Sequence, residues 1–158
     1  MKTEKIYDLL SKIPDPEIPV ITISDLGILR DVSLKDDHVV VSITPTYSGC
    51  PAMHAIEQEI KKTLMENGVE GAEVKLVHAP AWTTDWLSEE AKEKLRVYGI
   101  SPPGKVNGRN LLSGTREVAC PRCGSLHVRL VSQFGSTPCK ALYACKDCGE
   151  PFDQFKCH

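Results

Sequence analysis

Two Cys-x-x-Cys pairs near the C-terminus, Cys120-Pro121-Arg122-Cys123 and Cys145-Lys146-Asp147-Cys148, limit this chain more than any other feature. The 21 residues between Cys123 and Cys145 match the spacing of a four-cysteine zinc ribbon. Two sulfurs three residues apart reach one ion when the turn between them curls, and Gly124 and Gly149 follow the two turns directly. A disulfide framework fits less well: the 7 cysteines are an odd number, no secretory leader is visible, and Cys50 alone precedes residue 120. Four thiolates leave no open coordination position, so the ion is expected to be structural zinc, with rubredoxin-type iron or a bound cluster as the alternative. The sequence between the knuckles reads as two strands, from His127 to Phe134 and from Leu142 to Cys145. Few apolar residues surround them, so the module needs its metal to fold.

A ribbon often binds nucleic acid, so charge becomes relevant. The chain carries 19 basic and 21 acidic residues, net −2. From Thr115 to His158 there are 6 basic and 4 acidic side chains, a surplus that a divalent ion with four thiolates cancels. Protein contact is therefore expected rather than nucleic acid. No apolar run reaches the roughly 20 residues of a membrane span, and a cytosolic protein is expected.

Residues 1–100 have a different character, and residues 101–114, rich in Gly, Pro and Asn, read as a linker to a ribbon over 115–158. Ile6, Leu9, Leu10 and Ile13 form one helical face, with Thr3 as cap and Pro14 as stop. Ile28 to Leu34 and Val39 to Thr44 predict an antiparallel hairpin around Lys35-Asp36-Asp37-His38. Pro51 opens a second helix striped by Ile56, Ile60 and Leu64 and stopped by Asn67-Gly68. Ala72 to His78 is a third strand, and Ser88 caps a helix from Glu89 to about Val97. The order α, β, β, α, β, α gives an α+β fold, a small two-layer sandwich, followed by the zinc ribbon.

Three segments of this first domain carry candidate chemistry. Prolines hold Pro14-Asp15-Pro16-Glu17-Ile18-Pro19 extended, so Asp15 and Glu17 project to one side and either hold a cation, fix a backbone amide or stay solvated. Cys50, in Ser48-Gly49-Cys50-Pro51, is placed at a helix N-cap, where amides and the macrodipole favour a thiolate able to bind a soft metal; the alternative is a buried, inert thiol. His54 lies one turn on and reads as a helix-surface residue. Ala79-Pro80-Ala81-Trp82-Thr83-Thr84-Asp85-Trp86 contains both tryptophans, which serve as a docking patch for a partner or as plugs of a small core. In the tail, Cys139 lies in a turn-rich loop beside Lys140 and is either a reactive, partner-facing thiol, which the loop favours, or a buried structural one; Cys157 and His158 end the chain.

These residues resemble a family. From Ile6 to about Val77, Asp15-Pro16-Glu17, Ser24-Asp25-Leu26-Gly27 and Ser48-Gly49-Cys50-Pro51 are similar to the domain of iron-sulfur assembly proteins known as the MIP18 or DUF59 family. Over its whole length, including Trp82 to Trp86 and Phe134-Gly135-Ser136-Thr137-Pro138-Cys139-Lys140-Ala141, the chain looks like the phenylacetate-degradation protein D family. Members are encoded with a multicomponent di-iron monooxygenase that epoxidises phenylacetyl-CoA and are regarded as its accessory or maturation factors. The resemblance implies that Cys50 handles iron or an iron-sulfur cluster transiently, with Asp15, Glu17 and Asp25 as the acidic motifs around it. It implies as partners the oxygenase and reductase subunits and iron-sulfur assembly proteins, with a homodimer as one way to bridge a cluster between two Cys50 sites. Tyr47-Ser48, where relatives often carry Thr and Pro, departs from the pattern. The chain lacks the Glu-x-x-His helices of a di-iron oxygenase, so it is not expected to be the catalytic subunit. The alternative function is a scaffold or regulatory subunit of the same complex.

Overall fold

A computed structural model of the chain describes residues 2–46, 51–83, 86–103, 117–137 and 140–155. Two compact units divide it, Met1–Ser88 and Glu89–His158.

In the first unit, helix α1 (Thr3–Leu10) buries Ile6 and Leu10, one turn apart, as the apolar spacing requires. Strands β1 (Leu29–Lys35) and β2 (His38–Ile43) pair as the expected antiparallel hairpin, with Lys35 opposite His38, so the turn is two residues shorter than the four expected. Their two-residue turn holds Asp36 and Asp37 at φ 45° and 66°, the left-handed geometry that matches the twist of a hairpin. Helix α2 (Ala52–Glu66) then buries Ala52, Met53, Ile56, Ile60 and Leu64 along one stripe. It carries the chain back so that β3 (Glu73–Leu76) lies parallel to β2. The sheet order is β1-β2-β3, with Val39, Val40, Val41 and Ile43 of the central strand all buried. α1 packs on β1 and α2, and α2 on β3. The expected two-layer α+β sandwich is the fold observed.

The second unit starts earlier than the sequence suggests. Helix α3 (Glu89–Tyr98), expected to close the first domain, leads directly into the short strand β4 (Ile100–Ser101). β4 pairs parallel with β7 (Pro151–Phe155), so hydrogen bonds rather than apolar pattern bring it into the ribbon sheet. β5 (Val128–Ser132) and β6 (Lys140–Cys145) complete the order β4-β7-β6-β5. β5 forms one edge, and its ladder slips between Leu130 and Ser132, leaving Val131 as a bulge. The core beneath the knuckles is small: Val118, Cys120, Cys145 and Phe152, with Val128 and Tyr143 against it. Tyr143 and Phe152 stack with ring centroids 6.0 Å apart. Most of the expected linker lies outside the described residues. No described helix is long and apolar enough to cross a membrane.

Candidate metal centre and the loops of the first unit

The two knuckles share one backbone design. The Cys120 amide donates to the Ser125 carbonyl at 2.9 Å and the Gly124 amide to the Cys120 carbonyl at 2.8 Å. In the second knuckle the Cys145 amide donates to the Glu150 carbonyl at 2.9 Å and the Gly149 amide to the Cys145 carbonyl at 3.1 Å. Gly124 and Gly149 both take φ 75°, a conformation that side chains resist. The result brings the Sγ atoms of Cys120, Cys123, Cys145 and Cys148 within 4.8 Å of one another. The cross-knuckle pairs Cys120–Cys148 and Cys123–Cys145 are 3.7 and 3.5 Å apart. In a tetrahedron with bonds of about 2.3 Å, sulfurs stand about 3.8 Å from one another, so the four residues fit a zinc-sized ion.

The protons of this cluster are unevenly held. At Cys123 the Ser125 amide favours the thiolate, but the Cys145 sulfur, burial and the other two sulfurs outweigh it and push the pKa up to about 12. At Cys145 the Cys148 and Asp147 amides prevail over burial and draw it down to about 7. Crowded thiols do not all ionise without a cation, and a divalent ion removes the conflict. Asp147 is held below the usual carboxylate range, first by the Ser125 hydroxyl and then by His127.

In the first unit the structure brings the acidic motifs and the tryptophans to neighbouring loops. The Asp15 amide donates to the Ile21 carbonyl, and the Ile23 amide to the Ile13 carbonyl, closing a loop over residues 15–21. Asp15 is buried, and its Oδ1 accepts the amides of Glu17 and Ile18 at 2.9 and 2.8 Å. Asp25 Oδ2 accepts the Thr22 amide while Thr22 Oγ1 accepts the Asp25 amide, each at 3.1 Å. Of the readings open for the acids, fixing backbone amides is the one seen for Asp15 and Asp25. The next two residues meet the tryptophans: Trp82 Nε1 donates to the Leu26 carbonyl at 2.6 Å. A Cβ at Gly27 would meet Trp86 Cβ at 3.0 Å, and φ there is 75°.

Trp82 is only 8% exposed. Of the two readings open for the tryptophans, that sets aside partner docking for Trp82 in favour of the core plug, and its indole N–H is taken up by the Leu26 carbonyl. Trp86 is half-buried beneath the Arg30 guanidinium, 4.0 Å from its ring centroid.

Cys50, Cys139 and Cys157 lie outside the described residues. Around Cys50, α2 begins at Ala52 with Pro51 in the N-cap position, one residue later than expected, so Cys50 precedes the cap. Among the described residues no side-chain hydrogen bond caps this helix start. The Thr44 amide donates to the Ile28 carbonyl, whereas its hydroxyl is the one buried side-chain polar group without a hydrogen-bond partner among the described residues. Beside Cys139, Lys140 is 6% exposed, and its Nζ donates to Ser136 Oγ at 3.1 Å. Ser136 in turn donates to Asp153. The periodicity of the tail did not reveal the Arg122–Glu150 and Ser125–Asp147 contacts between knuckles. The signal for them in the sequence is the likeness of Cys-Pro-Arg-Cys-Gly-Ser to Cys-Lys-Asp-Cys-Gly-Glu, which carry opposite charges in corresponding places.

Comparison with known proteins agrees with both halves. Residues 3–78 match the family described as iron-sulfur cluster assembly protein, and residues 105–156 match the PaaD zinc beta ribbon domain. The chain is 51% identical over 156 residues to a putative subunit of the 1,2-phenylacetyl-CoA epoxidase of Escherichia coli, covering 99% of this chain and 93% of that one. It is 37% identical over 94 residues to an Fe-S protein maturation auxiliary factor of Porphyromonas gingivalis, covering 58% of this chain and 89% of the relative. A crystal structure of a domain of unknown function, DUF59, from Bacillus anthracis superimposes with TM-score 0.54 at 33% identity, over 59% of this chain and 90% of that one. The chain therefore belongs to the PaaD family, in which a MIP18 (DUF59) iron-sulfur assembly domain is followed by a four-cysteine ribbon.

Proposed function

We propose that this chain is a cytoplasmic accessory factor that assists iron or iron-sulfur cluster assembly in a multicomponent phenylacetyl-CoA epoxidase, rather than one of its catalytic subunits. The observation that carries this reading is identity along nearly the whole chain to a putative subunit of such an epoxidase, combined with maturation-factor relatives that match the first part alone. Its partners are then the other components of that oxygenase and the iron-sulfur assembly proteins.

The two halves divide the metal chemistry. In the ribbon, Cys120, Cys123, Cys145 and Cys148 hold zinc, which as a closed four-thiolate ion cross-links the fold. In the first unit, Cys50 is the transient thiolate ligand for the iron or cluster that is passed on. Support comes from its place in the sequence two residues before α2 begins, since the amides of a helix start stabilise a nearby thiolate. Asp15 and Asp25 serve that site by holding their loops, with Glu17 alongside. Cys139 and the partly covered Trp86 are the contacts offered to the client.

The test is elemental analysis and visible absorption of anaerobically purified protein, with and without Cys50→Ser. The expected result is one zinc per chain in both proteins and additional iron only in the unmodified one. Zinc without iron, even after anaerobic reconstitution with iron and sulfide, overturns the transfer reading in favour of a scaffold subunit.

A further inference from the structure

The likeness of the two knuckles extends past their cysteines. Arg122 precedes the second cysteine of its knuckle and donates to Glu150, two residues beyond the second cysteine of the other, at 2.7 Å. Asp147 occupies the corresponding place in its own knuckle and accepts from Ser125, two residues beyond Cys123. We propose that these four residues form a reciprocal clasp that keeps the knuckles together and thereby sets how slowly the ribbon gives up its metal. The inference rests on the reading that the ribbon holds an ion.

Neither tie uses a sulfur, and neither stabilises a knuckle by itself, since the partners are 28 and 22 residues apart. Their effect falls on docking. Loss of a four-thiolate ion proceeds one sulfur at a time, and a detached sulfur rebinds when its knuckle is still held at high effective concentration beside the others. The two ties differ in charge. A divalent ion with four thiolates leaves a net charge of −2, and Arg122 brings a cation to it. Asp147 brings an anion instead, so the Arg122–Glu150 tie is expected to matter more. Both pairs are exposed, which places the effect at the lower end of what outer-sphere partners of a metal exert.

The experiment follows zinc release from the full chain to excess chromophoric chelator, for Arg122→Gln, Glu150→Gln, their double variant, Arg122→Lys and Ser125→Ala. Arg122→Gln and Glu150→Gln are each expected to speed release by about three- to tenfold, with the double variant no faster than the faster single one. Arg122→Lys is expected to recover part of the loss, and Ser125→Ala to change the rate by about twofold or less. The cobalt(II)-loaded variants are expected to keep the absorption of a tetrahedral four-thiolate site, because only retention is altered. Unchanged rates, multiplying effects in the double variant, or an altered cobalt spectrum overturn the clasp alone. If the unmodified chain takes up neither zinc nor cobalt, the ribbon reading falls and the clasp with it.

Discussion

The first unit is held by an extended apolar core, whereas the second sets four cysteines able to hold a metal over a small one. Among the twelve largest fully buried side chains of the described residues, only Phe155 lies in the second unit, while the others, from Ile6 to Leu64, are all aliphatic residues of the first. Burying each of those contributes about 1.5–3 kcal/mol. Beneath the knuckles there is one modest cluster, two of whose members are themselves cysteines. With zinc in the ribbon, as proposed above, two solutions to the same stability problem lie within one chain of 158 residues.

Removing the metal tests this contrast with the largest effect. A strong chelator under reducing conditions should unfold residues 117–155, at a loss of roughly 10 kcal/mol or more of metal binding. The amide resonances of the first unit should stay dispersed in the same spectrum. Ribbon resonances that survive metal removal would show that its apolar cluster suffices and would break the comparison. The converse change is Ile60→Ala, which empties a fully buried position of α2 and should cost about 2–5 kcal/mol in chemical denaturation of the first unit. Zinc content should be unaltered. Smaller still is Asp15→Ala, which orphans the two amides held by Oδ1 and should cost about 1–3 kcal/mol. Asp15→Asn keeps an acceptor oxygen and should recover much of that loss, which sharpens whether the acid works by geometry or by charge.

Regular elements were legible in the sequence wherever one face repeats: α1, α2, the β1–β2 hairpin and the four ribbon cysteines stand where pattern and spacing place them. What pattern did not disclose depends on contacts between distant segments. Ile100–Ser101 is too short to show any period, and only its bonds to β7 make it a strand. Trp82 fits plug or patch equally well until its indole is placed against Leu26, 56 residues earlier. The acids of Asp15 and Asp25 suggested ligands, yet local backbone amides compete for the same oxygens, in a proline-stiffened loop for Asp15 and in a reciprocal turn with Thr22 for Asp25. α2 begins one residue later than expected because Pro51 itself takes the cap position.

The bulge at Val131 has a consequence for how this protein survives at high concentration. β5 is an edge strand with Leu130 and Val131 exposed, the composition from which intermolecular sheets grow. An extra residue breaks the even spacing of its amides and carbonyls, and Arg129 adds a charge beside it. The strand therefore shows apolar side chains to its surroundings while denying a second chain a regular ladder on which to polymerise.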